Sequence, residues 1–253
     1  MIKKINPQSK GGKIGISNAV ILWGIERNEK YQLAEAVWKL AKVIIEQDLP
    51  TPMRQLLLFA KGLPLGKEKN GIPDYDIRPI VILDSIMRII DKLAVNNVDP
   101  KIRRKVIGPY QTIGVRSACE VSTIGCDFAL DLINNVEQLS MLNVDAKNAY
   151  NAADRQKIYE IVIEEMPDLL NYYTFLYGDK IYILFDHLHH LWMTSGTIQG
   201  LNSSELFYSA LKWKIQQTAE QRMKSQHQDF EIIYQSDYIC LLYTSDAADD
   251  VLW

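Results

Sequence analysis

Cysteine is nearly absent: Cys119, Cys126 and Cys240 stand scattered through 253 residues. Three is too few for a disulfide scaffold, and their spacing fits no zinc knuckle, so they read as plain thiols. Long apolar runs are missing as well. None approaches the roughly 18 to 20 residues that span a bilayer, and the opening Met1-Ile2-Lys3-Lys4 lacks the apolar centre of a signal peptide. The expectation is a soluble, intracellular protein with no membrane partner. No repeat and no low-complexity tract is found, which excludes a solenoid. Acidic residues are sparse in the first half and basic ones in the second. Residues 1–120 hold 20 Lys+Arg against 12 Asp+Glu and residues 121–253 hold 8 against 19, so the halves carry +8 and −11. Uneven charge alone is compatible with an ordinary solvated surface. A basic lobe also suits a polyanion such as nucleic acid, and an acidic lobe with a few buried carboxylates suits divalent metal.

What is present is an ordinary globular balance, 47% apolar and 23% charged, which argues against disorder and for one large domain or two lobes. Apolar residues at Leu33, Ala36, Val37, Leu40, Val43 and Ile44 predict a helix within 28–47 that ends at Pro50 and Pro52. A second helix is expected over 52–61, then a Gly- and Pro-bearing loop over 66–76, then an edge strand over 77–82, because Pro79 cannot donate within a central ladder. Helical spacing returns over 85–98 and 119–136, with the basic cluster Lys101, Arg103, Arg104, Lys105 between them. The second half predicts strands over 139–144, 180–185 and 230–233 and helices over 155–165 and 203–217.

Three segments carry candidate chemistry. Asp145 follows an apolar strand in Val144-Asp145-Ala146-Lys147-Asn148-Ala149-Tyr150. A carboxylate there, with a nearby backbone carbonyl, can hold a hard cation; the same Asp also reads as the cap of the next helix. In Ser195-Gly196-Thr197-Ile198-Gln199-Gly200-Leu201-Asn202 two glycines let the backbone approach a flat ligand, and Gln199 can orient it. An ordinary loop with a Ser cap on the helix that follows fits equally well. Asp237, in Gln235-Ser236-Asp237-Tyr238, turns a third apolar strand, and side by side with Asp145 it would form a magnesium site. His187, His189 and His190 sit in an apolar hairpin and read as structural, and Cys119 and Cys126 share one helix face.

In this order and spacing, from about residue 57 to 239, the segments resemble the reverse transcriptases of non-LTR retrotransposons. Ile77-Arg78-Pro79-Ile80 is similar to the fingers strand, with Arg88 and Lys92 on the helix after it. Tyr110-Gln111-Thr112-Ile113-Gly114-Val115 resembles the segment ahead of the palm, Asp145 to Arg155 the first palm motif, and Gly196-x-x-Gln199-Gly200 the second. The usual Asp-Pro after Gln-Gly is here Leu201-Asn202, and the third motif, Tyr-x-Asp-Asp, is here Gln235-Ser236-Asp237-Tyr238. Asp249-Asp250 follows no apolar strand and is not taken for that motif; the string from Cys240 to Asp250 resembles a translated sequencing adapter, so the native protein is expected to stop near Ile239.

The resemblance implies an α+β fold, the fingers and palm of a right-hand polymerase, helix-rich with a small antiparallel palm sheet and no thumb. It implies a helical extension over 1–56, fingers over 57–136, a palm over 137–239 and an artefactual tail over 240–253. The implied function is RNA-templated DNA synthesis by two-metal nucleotidyl transfer in a parent protein of which this chain is a fragment. Asp145 and Asp237 would be catalytic; with the Ala146 carbonyl they would hold two Mg2+ ions. Arg78, Tyr150, Gln199 and Gly200 would bind the nucleotide, with Tyr150 excluding a 2′-hydroxyl. The implied partners are an RNA template, a DNA primer and a dNTP, with endonuclease or RNase H domains elsewhere in the full-length protein, and the setting is cytoplasm and nucleus for a eukaryotic element. The competing reading is a non-catalytic remnant that binds nucleic acid, favoured by Tyr238; a helical interaction domain without such affinity is the third.

Overall fold

Capping and helical periodicity set most of the element boundaries. The computed structural model describes residues 12, 15–27, 32–69, 72–108, 111, 117–135, 148–185 and 188–226, with backbone alone at 65–69, 72–79 and 118–119. Helix α1 (Asn18–Glu26) starts at Ser17, whose hydroxyl accepts from Val20 N. Helix α2 (Gln32–Glu46) buries Val37, Ala41 and Ile44, one face at helical spacing. Helix α3 (Thr51–Leu57) carries Pro52 in its first turn, where a missing N–H costs nothing. After β1 (Ala60–Lys69) and β2 (Ile72–Ile82) come α4 (Ser85–Asn96) and α5 (Pro100–Ile107). Asp99 caps α5 by accepting from Lys101 N at 2.7 Å, and Gly108 ends it at φ +76° against Trp213. Helix α6 (Ala118–Asn135), α7 (Arg155–Glu165), a 3-10 turn (Pro167–Leu169) and α8 (Leu170–Tyr177) precede β3 (Ile181–Leu184), β4 (His190–Met193) and the long α9 (Asn202–Gln226).

The sheet order is β2-β1-β3-β4. β1 and β2 form an antiparallel hairpin with an irregularity between Leu65 and Lys67. β1 then runs parallel to β3, pairing Ala60 with Ile183 and Lys61 with Leu184, and β3 pairs antiparallel with β4. The sheet is therefore mixed, not purely antiparallel: α4 to α8 lie between β1 and β3 in the chain and supply the crossover that a parallel pair requires. β2 is an edge, as Pro79 demands.

One main core joins Ala41 and Ile44 of α2, Leu83, Met87 and Ile90 around α4, Ile158 and Val162 of α7, Tyr172 and Leu176 of α8, and Phe207 and Trp213 of α9. The segments expected as fingers and palm thus share this core and this sheet. The fold is α+β, helix-rich around a small sheet, and among the described residues no helix is long and apolar enough to cross a membrane.

Two expectations need correction. The 52–61 helix stops at Leu57, and Ala60 already pairs in β1; the 66–76 segment lies within the β1–β2 hairpin and is not a free loop. Ladder pairing with a partner strand overrides the local turn preference of Pro73 and Asp74, while Gly66 falls at the irregularity in β1. The strands expected over 139–144 and 230–233 lie outside the described residues.

Candidate functional site

Two of the three singled-out segments meet. After Asn148, which adopts φ +52°, the chain makes a tight turn in which Ala152 N donates to Asn148 O at 2.8 Å. It then enters α7 through Asp154, whose carboxylate accepts from Gln156 N at 2.8 Å and Lys157 N at 3.1 Å. The capping role that was the alternative for Asp145 therefore belongs, for α7, to Asp154.

The second segment is fastened directly to this turn. Thr197 N donates to Tyr150 O at 2.7 Å and Gly196 N to Ala153 O at 3.2 Å. Gly196 sits at φ +70°, and a Cβ there would run into the backbone of Asn151. This glycine serves close approach of two chain segments, a role beside the two the sequence offered, approach to a flat ligand or an ordinary loop. Arg155, the first residue of α7, completes the clamp. Its Nε donates to Gly196 O at 2.7 Å, Nη2 reaches Ser195 O at 3.3 Å and Met193 O at 3.4 Å, and Nη1 reaches Asp179 O at 3.3 Å. The guanidinium also lies 5.2 Å from the Tyr177 ring centre. A fixed fork with five donors suits this fan of carbonyls. Burial pushes the Arg155 guanidinium below its ordinary value.

The loop that follows is held from two sides. Ile198 N donates to the Tyr177 hydroxyl at 3.2 Å, and that oxygen lies 2.6 Å from Ser204 Oγ. Helix α9 is capped not by its own serines but by Asp91 of α4, which is fully buried. Asp91 accepts from Asn202 N at 2.7 Å, from Ser203 N at 3.3 Å and from the Tyr172 hydroxyl at 2.9 Å. Burial raises the Asp91 carboxyl above the usual range, while these hydrogen bonds pull it the other way.

Between the sheet and these turns lies a cleft of about 330 Å³, lined by Val81, Asn148, Asn151, Ile183, Leu191 and Ser195, among others. Val81 lies next to the end of the strand that carries Arg78, and its carbonyl would lie 3.8 Å from a Cβ at Gly200, which is at φ +108°. The arginine strand, the turn after Asp145 and the Gln199-Gly200 loop therefore converge on one region.

The individual site residues divide accordingly. Gly200 is exposed and Gln199 half-buried beside the strand end. Tyr150 is half-buried, its ring 5.1 Å from that of Tyr208 on α9, and it is not among the residues lining the cleft; Asn148 and Asn151 are. Arg78 pairs in register with Leu65 in β2, its side chain undescribed. Asp145, Ala146 and Asp237 lie outside the described residues, as does the tail 240–253. Among the described residues no three His, Cys, Asp or Glu side chains group as a metal site. His190 is exposed and stacked on Tyr182, and in the basic cluster Lys105 pairs with Glu165 at 2.5 Å. Asp91 and Tyr177 were missed by the sequence reading. Asp91 had a signal, since a carboxylate beside Met87, Ile90 and Ala94 on the buried face of a helix needs donors from elsewhere.

Compared with protein-family models the chain matches none, and no curated protein matches it significantly.

Proposed function

We propose that this chain derives from an RNA-directed DNA polymerase and that the cleft is the edge of its nucleotide site. The supporting observation is the convergence of the Arg78 strand, the turn after Asp145 and the Gln199-Gly200 loop, three segments far apart in sequence. In this reading Arg78 pairs with the triphosphate as a planar fork, and Gln199 and Gly200 border the base. Tyr150 packs on Tyr208 and does not line the cleft, so its sugar-bounding role rests on the resemblance alone. Asp145, the Ala146 carbonyl and Asp237 are hard oxygen donors of the kind magnesium takes, and the bound ions would neutralise phosphate charge and activate the primer hydroxyl. The protein's own share is placement of primer, template and dNTP.

A second reading, a nucleic-acid-binding remnant without catalysis, is favoured by one observation: Tyr238 stands where the third motif carries its second carboxylate. Primer extension separates the two. A parent protein with an intact third motif should extend a DNA primer on an RNA template and lose that activity on Asp145→Ala. The 253-residue chain should bind RNA in a salt-dependent way and extend nothing. Extension unaffected by Asp145→Ala would end the polymerase reading.

A further inference from the structure

The sheet face that carries Tyr182 and His190 is a different surface from the cleft, with Trp192 bordering both. Strand pairing puts Tyr182 opposite Trp192 and Leu184 opposite His190, and places Lys61 beside Leu184. Residues paired across a ladder share a face, and alternate residues along one strand do too. Phe59, Lys61, Lys180, Tyr182, His190 and Trp192 therefore look outward together, while Ile181, Ile183 and Met193 are buried on the other side.

Three of the rings form a stack. Phe59 lies 5.1 Å from Tyr182 at 23°, and Tyr182 lies 5.2 Å from His190 at 24°. Trp192 meets Tyr182 edge-on at 4.8 Å, and Lys180 Nζ stands 4.4 Å from the Trp192 ring centre. The stack runs across the sheet and stops at His190 on β4, the edge strand, so the outer face of that ring continues the row. His190 is exposed and Trp192 is 41% exposed. Large rings left in water at a sheet edge signal a partner. The charge says which kind. Among the described residues the cations on this face are Lys180 and Lys61, none of the outward residues named is acidic, and Asp179, just before β3, pairs with Arg54 at 3.0 Å, while Asp186 lies outside the described residues. Planar faces interleaved with cations suit successive bases and their phosphates.

We infer that the outward face of β3 and β4 is a stacking platform for an unpaired nucleic-acid strand, with bases against His190 and Trp192 and phosphates on Lys180 and Lys61. The assignment adds a strand-binding surface to the polymerase reading. It rests on that reading only for which strand is bound.

The test is fluorescence anisotropy of a labelled 12-nucleotide oligouridylate with the whole 253-residue chain, without metal or dNTP. Trp192→Ala and His190→Ala should each weaken binding about tenfold, near the lower end of the stacking worth of one base. Trp192→Phe should hold within about threefold, as a ring is kept. Trp23→Ala, which removes an exposed tryptophan of α1, should change nothing. Lys180→Gln should lower the slope of log Kd against log salt by about 0.7. Circular dichroism reports whether each variant folds; if Trp192→Ala does not, His190→Ala decides. Wild-type affinity in both alanine variants, equal competition by a duplex, or no binding by the wild-type chain overturns the platform. Primer extension by the parent protein is a separate readout. Its failure alongside ring-dependent binding removes the polymerase and leaves the platform, and the converse result removes the platform alone.

Discussion

Replacing Asp91 tests the link between α4 and the loop that enters α9. The carboxylate is fully buried and receives the Tyr172 hydroxyl and the amides of Asn202 and Ser203. Asp91→Ala removes a helix cap worth about 1 kcal/mol and leaves three donors without their acceptor, two of them, the Tyr172 hydroxyl and Ser203 N, buried and costing about 1 to 3 kcal/mol each when unpaired. These terms are not additive, because the cavity admits some relaxation or a water, so the expected loss is about 3 to 5 kcal/mol. For a chain of this size that is roughly 6 to 20 °C of melting temperature. Asp91→Asn keeps one acceptor and the shape, and should fall between wild type and Ala. The pH dependence gives a second check. Burial holds the folded carboxyl above its ordinary 3.8, so folding takes up a proton there. The associated stability is fully present below the unfolded value and is lost as pH rises through the folded one. The Asn variant lacks this titration, so its deficit relative to wild type should be largest in acid and shrink as pH rises above 3.8. Thermal melts of the three proteins across pH 4 to 8 measure both effects (about one melt per pH unit suffices). An Ala variant melting within about 2 °C of wild type, or an Asn deficit that grows with pH, would refute the reasoning.

Gly196→Ala should cost about 2 kcal/mol or more, read as a lower urea midpoint, since the new Cβ meets the Asn151 backbone and φ is +70°. Arg155→Lys keeps the charge but loses the fork, and should cost about 1 to 3 kcal/mol in the same assay; an unchanged midpoint would mean that the clamp on Ser195 and Gly196 contributes nothing. If residues 240–253 are adapter-derived, as their resemblance implies, a chain ending at Ile239 should melt within about 1 °C of the 253-residue chain, because such a peptide was never selected to fit this core.

Helices were legible where one face carries the apolar residues. The spacing of Val37, Ala41 and Ile44 fixes α2 within the expected bounds, and the 85–98 and 119–136 expectations match α4 and α6 to within two residues. Where several faces are apolar the period disappears. Helix α8, Leu170–Tyr177, buries Tyr172, Tyr173, Phe175, Leu176 and Tyr177 and was passed over, because a helix apolar nearly all round has no stripe to detect. The β1–β2 hairpin failed for another reason. Gly62, Pro64 and Pro73 are turn residues by local preference, yet all three pair across strands whose ladder supplies what the local sequence does not.

The candidate site shows the same division between local and distant causes. Gly196 and Arg155 lie in segments the sequence singled out, and both act on backbone: one permits contact with Asn151, the other fans onto four carbonyls. Their roles as contacts between segments were invisible, since neither partner lies within 20 residues of its neighbour in the chain. Asp91 is harder still, with its donors 81 to 112 residues away. With the Tyr177 hydroxyl on Ile198 N, the Arg155 and Asp91 ties reach the 194–201 loop and the first turn of α9 from three helices, α8, α7 and α4. That geometry gives the loop little freedom of its own, so displacing Gln199 and Gly200 requires breaking ties to three helices. In the proposed reading, these ties are what hold the Gln199 amide and the bare backbone of Gly200 in place for a nucleotide.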